Sequence, residues 1–252
     1  MTILKNNRYK EAIDELNLSI DEQKIMNHAL QKKKRKNYLV YAFAFAVLIV
    51  VVAGSIFFYT PTMDLYQATG DVKVKLMDLD YKDISSSDNL VFLTEEEIFK
   101  NWVTDSFYGE VTHVENIEMV VGGYSDYSSI ITFKILDAIH TIEKENKEVT
   151  ILLPNQIKTD VKTSNSYFSE QLTVGTRAII LANRYNETSI YQVNDNTLYL
   201  QELATFGLPD GMRFVMLENS DGTLRYMPDV FTSLNNAKQY DEIKNYLIRM
   251  ME

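Results

Sequence analysis

The side chains able to move protons or hold metals are few and scattered. The three histidines, His28, His113 and His140, lie far apart in the chain. An imidazole needs a partner within hydrogen-bond reach to act as a base, and only His113 and His140, on the edges of predicted strands, could meet. Asp78, Asp80 and Asp83 form a weak oxygen-ligand cluster without the glycine and terminal glutamate of a calcium loop. Glu95, Glu96 and Glu97 are consecutive on a predicted helix, so their carboxylates point in different directions and do not converge on one ion. Gly122-Gly123 reads as a turn rather than a phosphate loop. Tyr124, Tyr127, Tyr167 and Tyr185 recur around the loops, where tyrosine supplies either binding surface or packing. Asn186-Glu187-Thr188 is a glycosylation sequon, relevant only on a eukaryotic secretory route.

Cysteine is absent, which excludes a disulfide framework, a cysteine zinc site, thiol catalysis and lipid attachment to an N-terminal Cys. None of the short motifs for serine hydrolases, zinc proteases, P-loops or dinucleotide binding occurs. The expectation is a non-enzymatic protein with no cofactor and no metal.

The elements that carry these residues are set out by charge. The chain has 252 residues, 25 Lys+Arg and 35 Asp+Glu, for a net charge of −10. Residues 1–37 carry 9 basic and 5 acidic side chains, whereas residues 38–252 carry 16 and 30. An acidic bulk argues against nucleic-acid binding, which needs a basic face to neutralise phosphates. From Tyr38 to Met63 no residue is charged, and the 22 residues Tyr38–Tyr59 include 13 Leu, Ile, Val or Phe. As a helix they would extend about 33 Å, enough for a hydrocarbon core of about 30 Å. The basic run Lys32, Lys33, Lys34, Arg35 and Lys36 precedes them and Asp64 follows. The positive-inside rule then puts the N-terminus in the cytoplasm and the acidic bulk outside the cell membrane, with the basic run against anionic lipid. A cleaved signal peptide has a shorter apolar region and a small-residue cleavage site. The reading is therefore an uncleaved single-pass anchor over 38–59.

Ahead of the span, Tyr9, Ile13 and Leu16 fall on one face of a helix. Ser19-Ile20-Asp21-Glu22 is a capping box that opens a second helix, whose stripe is Ile25, Met26, Ala29 and Leu30. Thirty-seven residues cannot bury a core alone, so these stripes need another helix, a membrane surface or a partner protein. This N-terminal segment with its span resembles the anti-sigma-type single-pass membrane proteins of Gram-positive bacteria. The resemblance implies a sigma factor as cytoplasmic partner, held through Tyr9, Ile13, Leu16, Ile25, Met26, Ala29 and Leu30. The His and paired cysteines of the zinc-binding members are missing here.

Beyond the span, residues 60–104 read as a stalk ending in a short helix capped at Thr94. From Phe107 the period changes to alternation. Phe107 and Val111 face in, Val114 breaks the pattern as a bulge or bend would, and Ile131, Phe133, Ile135 and then Val149, Ile151, Leu153 continue it. Arg177–Ala182 is an almost wholly apolar central strand, and Ser189–Val193 and Thr197–Leu200 are short strands. Pro209-Asp210-Gly211 and Asn219-Ser220-Asp221-Gly222 mark an appended hairpin, and Asn235–Met251 reads as a helix. Strands at this spacing suggest a small barrel or sandwich. The segments beginning at Gly109-Glu110-Val111, Ile131–Ile135 and Val174–Leu181 resemble exported bacterial OB-like or netrin-like barrel domains. The expected architecture is a cytoplasmic helical segment (1–37), a transmembrane helix (38–59), the stalk (60–104) and a mainly β, OB-like extracytoplasmic domain with a C-terminal helix (105–252). The expected role is that of an anti-sigma-type regulator coupling an unknown extracytoplasmic ligand to a cytoplasmic partner. The alternative is an envelope-anchored binding module whose N-terminal segment only sets topology.

Overall fold

The computed structural model describes residues 24–25, 62–65, 67–77, 93–157 and 168–252. The chain divides into two compact units, Met1–Tyr59 and Thr60–Glu252. Of the first, Lys24 and Ile25 are described; both are helical, and Ile25 is 71% exposed. The stretch 38–59, the basic run Lys32–Lys36, and Tyr9, Ile13, Leu16, Met26, Ala29 and Leu30 lie outside the described residues. Among the described residues no helix is long and apolar enough to cross a membrane.

The second unit is mainly β with a C-terminal helix. In chain order its elements are β1 (Ala68–Thr69), β2 (Val72–Met77), α1 (Glu95–Asn101), β3 (Asp105–Val121), β4 (Tyr124–His140), β5 (Glu148–Leu153), β6 (Arg177–Arg184), β7 (Ile190–Val193), β8 (Asn196–Tyr199), β9 (Phe206–Gly207), β10 (Val215–Glu218), β11 (Leu224–Arg225) and α2 (Tyr240–Met251). Two 17-residue strands, β3 and β4, form its frame, joined by a tight turn at Gly122-Gly123, both with positive φ. Such backbone is open to glycine without steric cost. The alternation of Ile131, Phe133 and Ile135 with Thr132 and Lys134 puts the apolar set wholly inside. The register slips between Val111 and His113, leaving Thr112 as the extra residue of a bulge. That slip accounts for the broken alternation at Val114.

The pairings run in a ring. β3 pairs antiparallel with β4 and β4 with β5. β5 lies parallel to β9, β9 antiparallel to β6, and β6 antiparallel to the first six residues of β3. The first part of β3 is thus paired on both sides, and at Gly109 β4 approaches closely. A Cβ there would stand 2.1 Å from the Lys134 carbonyl oxygen and 2.5 Å from the Phe133 ring. Inside the ring, the Phe107 ring lies 5.7 Å from Phe133 and 5.3 Å from Phe206. Burying each such ring contributes about 1.5–3 kcal/mol. Outside it, β10 and β11 extend the sheet from β6, as the appended hairpin was expected to do.

Part of the stretch read as a stalk is strand. β2 pairs with the outer half of β3 over six residues, and β1 joins β8 and β7 in a small separate sheet. Val72, Val74 and Leu76 alternate with Lys73 and Lys75, a half-buried strand pattern that the sequence reading passed over. Val74, Ile117, Met119, Val121, Ile130, Leu152, Leu198, Leu203 and Ala204 form a second buried cluster. Asn196 ties this region together: its Oδ1 accepts from the Asp71 N–H at 2.7 Å and its Nδ2 donates to the Val193 carbonyl. Asp78, Asp80 and Asp83 lie outside the described residues.

α1 has the expected capping box, with the Glu97 N–H donating to Thr94 Oγ1 and the Thr94 N–H to Glu97 Oε2. Ile98 and Phe99 are buried. α2 begins at Tyr240 rather than Asn235, because Asn235 and Asn236 both take left-handed φ, which cannot continue a right-handed helix. Its apolar stripe, Ile243, Tyr246 and Leu247, packs into the same core as the ring.

Candidate functional site

At the end of the ring where β3 starts and β4 and β6 finish, an open cleft of 690 Å³ is lined by Thr104, Asp105, Ile139, His140, Thr141, Ile142, Arg184 and Asn186. Arg184 is the last residue of an apolar strand, Ala178–Ala182 being fully buried before it. Strand alternation turns it toward the ring, where its guanidinium lies 4.5 Å from the centroid of Phe206, a stacking distance for a cation on an aromatic face.

The same guanidinium is clasped by carboxylates. Nη2 donates to Asp105 Oδ1 at 2.6 Å and Nε to Asp105 Oδ2 at 3.3 Å. Nη1 donates to Glu143 Oε1 at 2.7 Å, and Nη2 has a weak second contact with Thr141 Oγ1. Asp105 also accepts from the hydroxyls of Thr104 and Thr141, and Lys147 donates to Glu143 Oε2. Burial opposes the Arg184 charge, but Asp105 and Glu143 outweigh it and hold the guanidinium above its ordinary value. Lys147 and Arg184 in turn hold the Glu143 carboxyl below the usual carboxylate range. Two anions and two cations thus balance, with Asp105 almost wholly buried beneath them. The arrangement can hold and orient a ligand.

The residues singled out from sequence are not brought together. His113 pairs in register with Thr132 and His140 with Ser106, eight positions apart along β4. His113 Nε2 lies 3.4 Å from Glu115 at the surface. Among the described residues no group of three or more His, Asp or Glu side chains could hold a metal. Glu95, Glu96 and Glu97 diverge as expected. Glu95 accepts from Ser233 and Tyr246, tying α1 to the C-terminal helix, while Glu97 caps its own helix. Tyr124 is exposed, Tyr127 donates to Glu118, and Tyr185 lies over Gly207, its hydroxyl pushed up to about 12 by burial. Tyr167 and His28 lie outside the described residues. Asn186 stands in an exposed turn, its Oδ1 accepting from the Thr188 N–H and hydroxyl.

The cluster around Arg184 escaped the sequence reading because its members are far apart in the chain. The one local signal was a lone arginine closing an apolar strand. Two further tyrosine–carboxylate bonds fasten the C-terminal elements: Tyr240 to Asp137 at 2.7 Å, shared with Lys244, and Tyr108 to Glu218 at 2.6 Å. Compared with protein-family models, curated proteins and solved structures, the chain matches none.

Proposed function

We propose that the chain is a non-enzymatic single-pass membrane protein of anti-sigma type, which couples an extracytoplasmic barrel-like domain to a cytoplasmic partner. The observation that carries this reading is in the sequence: the basic run Lys32–Lys36 abuts the apolar stretch 38–59, and a separate compact unit begins at Thr60. A basic segment with two apolar stripes then lies on one side of the span and a complete β unit on the other. The ring order β3–β4–β5–β9–β6, with a parallel β5–β9 pair, supports an OB-like barrel. Barrels of that kind bind across the outer face of their second and third strands, here β4 and β5. Ile130 and Leu152 on that face are buried in one cluster with Leu198, Leu203 and Ala204 of the segment that follows β6. A ligand is therefore better sought at the end of the ring, beside Arg184.

The test uses the full chain carrying a C-terminal affinity tag, expressed in a Gram-positive host. The expected result is capture of a sigma factor, abolished when Ile13, Leu16, Ile25 and Met26 are changed to Ala with topology retained. Unchanged capture by that variant overturns the regulator reading. The 690 Å³ cleft favours a second reading, an envelope-anchored binding module. Under it, replacing residues 1–31 with an unrelated soluble tag leaves function intact.

A further inference from the structure

We propose that Glu143 occupies, within its own chain, the place of a ligand carboxylate, and that the outer domain binds an organic acid bearing a branched apolar group by displacing it. The inference deepens the reading of the outer domain as a ligand-binding unit and rests on it.

Both Glu143 oxygens are held by cations: Oε1 by Arg184 Nη1 at 2.7 Å, Oε2 by Lys147. The side chain is 8% exposed, so this carboxylate sits as a bound anion would. Its backbone, however, belongs to the connection between β4 and β5 rather than to a paired strand. Within that connection the Glu143 N–H donates to the Thr141 hydroxyl and the Lys147 N–H to the Lys144 carbonyl, and Asn146 makes the left-handed return. The connection is fixed to β4 beyond Glu143, by the Asn146 N–H on the Ile135 carbonyl and the Ile135 N–H on the Lys147 carbonyl, so withdrawal of the Glu143 side chain leaves the β4–β5 register in place.

Charge decides what replaces it. Asp105, Glu143, Arg184 and Lys147 sum to zero. With Glu143 withdrawn and Asp105 still clasping Nε and Nη2, the site carries one net positive charge, which a single carboxylate restores. A guanidinium has five N–H donors, and four are placed here: one from Nε and two from Nη2 to Asp105 and Thr141, one from Nη1 to Glu143. The second Nη1 donor meets no acceptor among the described residues. The apolar part of the ligand is set by Ile139 and by Ile142, whose side chain is 83% exposed on the wall of the cleft. An isoleucine left so open beside a charged floor suits an acid with a branched hydrocarbon group.

The probe is N-acetylleucine, titrated calorimetrically into the full chain in uncharged detergent, with N-acetylleucinamide as its neutral counterpart. Glu143→Ala removes the internal competitor and is expected to bind the acid about tenfold more tightly than the unaltered chain. Glu143→Ala combined with Lys147→Ala is expected to lose that gain, and the amide is expected not to bind. Glu143→Gln keeps the side-chain length and gives the same reading should the alanine variant lose its circular dichroism spectrum. Equal affinity for the unaltered chain and the Glu143 variants, equal binding of acid and amide, or no binding by either variant overturns the proposal. Binding by the unaltered chain that is indifferent to Glu143 would do so while leaving the ligand-binding reading in place.

Discussion

Arg184 and Phe206 are register partners across β6 and β9, and the guanidinium carbon of one lies 4.5 Å from the ring centroid of the other. The side chain that covers the apolar interior is therefore the one that gathers Asp105 and Glu143 above it. Packing and polar chemistry at this end of the ring depend on a single residue.

Removing that residue should be costly. Arg184→Met leaves the buried Asp105 with only hydroxyl partners, and breaking such a pair from one side costs about 2–4 kcal/mol. Asp105→Asn combined with Arg184→Met should cost less than the sum of the two single changes, by about 1–3 kcal/mol. Trp102, the chain's one tryptophan, caps the end of α1 close by in sequence, so its fluorescence reports urea unfolding. A loss below about 0.5 kcal/mol for Arg184→Met, within the range of ordinary surface substitutions, would count against the clasp.

Gly109 and Gly123 separate two reasons for glycine. At Gly109 an added methyl meets a carbonyl oxygen at 2.1 Å, and backbone cannot yield as a flexible side chain does. Gly109→Ala is expected to cost about 3 kcal/mol. Gly123 has nothing within 4 Å of the added Cβ but a φ of +83°, so Gly123→Ala should cost about 1 kcal/mol from backbone conformation alone. Equal denaturation midpoints for the two variants would refute the close approach of β3 to β4.

Acid should weaken the β unit in a defined window. Burial raises the Asp137 pKa, but hydrogen bonds from Lys244 and Tyr240 outweigh it and hold the group below its ordinary 3.8. Glu118, with Lys75, Ser125 and Tyr127, and Glu143 are likewise held below 4.5. Depressed carboxylates contribute stability that is fully present above their unfolded pKa values and lost as pH falls through the folded ones. The melting temperature should thus be flat with respect to these groups above about pH 5 and decline below about pH 4. Tyr240→Phe should move the Asp137 titration, followed by NMR, to higher pH; an unmoved titration excludes that bond.

Topology can be read directly because the chain has no cysteine. Ser220→Cys, in an exposed turn, is expected to react with a membrane-impermeant maleimide on intact cells. Asn7→Cys should react only after lysis. Changing Lys32, Lys33, Lys34, Arg35 and Lys36 to Gln should mix the two patterns. Labelling of Asn7→Cys on intact cells would reverse the proposed orientation.

Where strands alternate against one core, the sequence was enough to place them. Phe107, Val111, Ile131, Phe133, Ile135 and the Val149–Leu153 set all lie buried as their spacing required, and the bulge next to His113 was foreshadowed by Val114. Thr94 and Glu97 announced their helix because a capping box is a local signal. β9 is two residues long, too short to carry a period, and only its partners define it. β2 was hidden by its lysines and by its place in the stretch read as a stalk, although it adds to the edge of β3. The cleft was least legible: Asp105, Thr141, Glu143 and Arg184 are ordinary residues until β3, β4 and β6 bring their ends together.

Closing five strands on one another leaves little backbone for another copy to pair with. Among the described residues the outward sides of the sheets end at β2, β1, β7 and β11. The first is bridged by Thr62 and Met63 and the last by a bond to the Lys238 carbonyl. β1 and β7, two and four residues long, and Tyr124–Ser128 of β4, paired with β3 alone, are the stretches left open, each too short to template an extended cross-strand stack. Crowding of many copies on one surface should therefore be tolerated without fibrous aggregation, even though the sequence is rich in β-branched and aromatic residues.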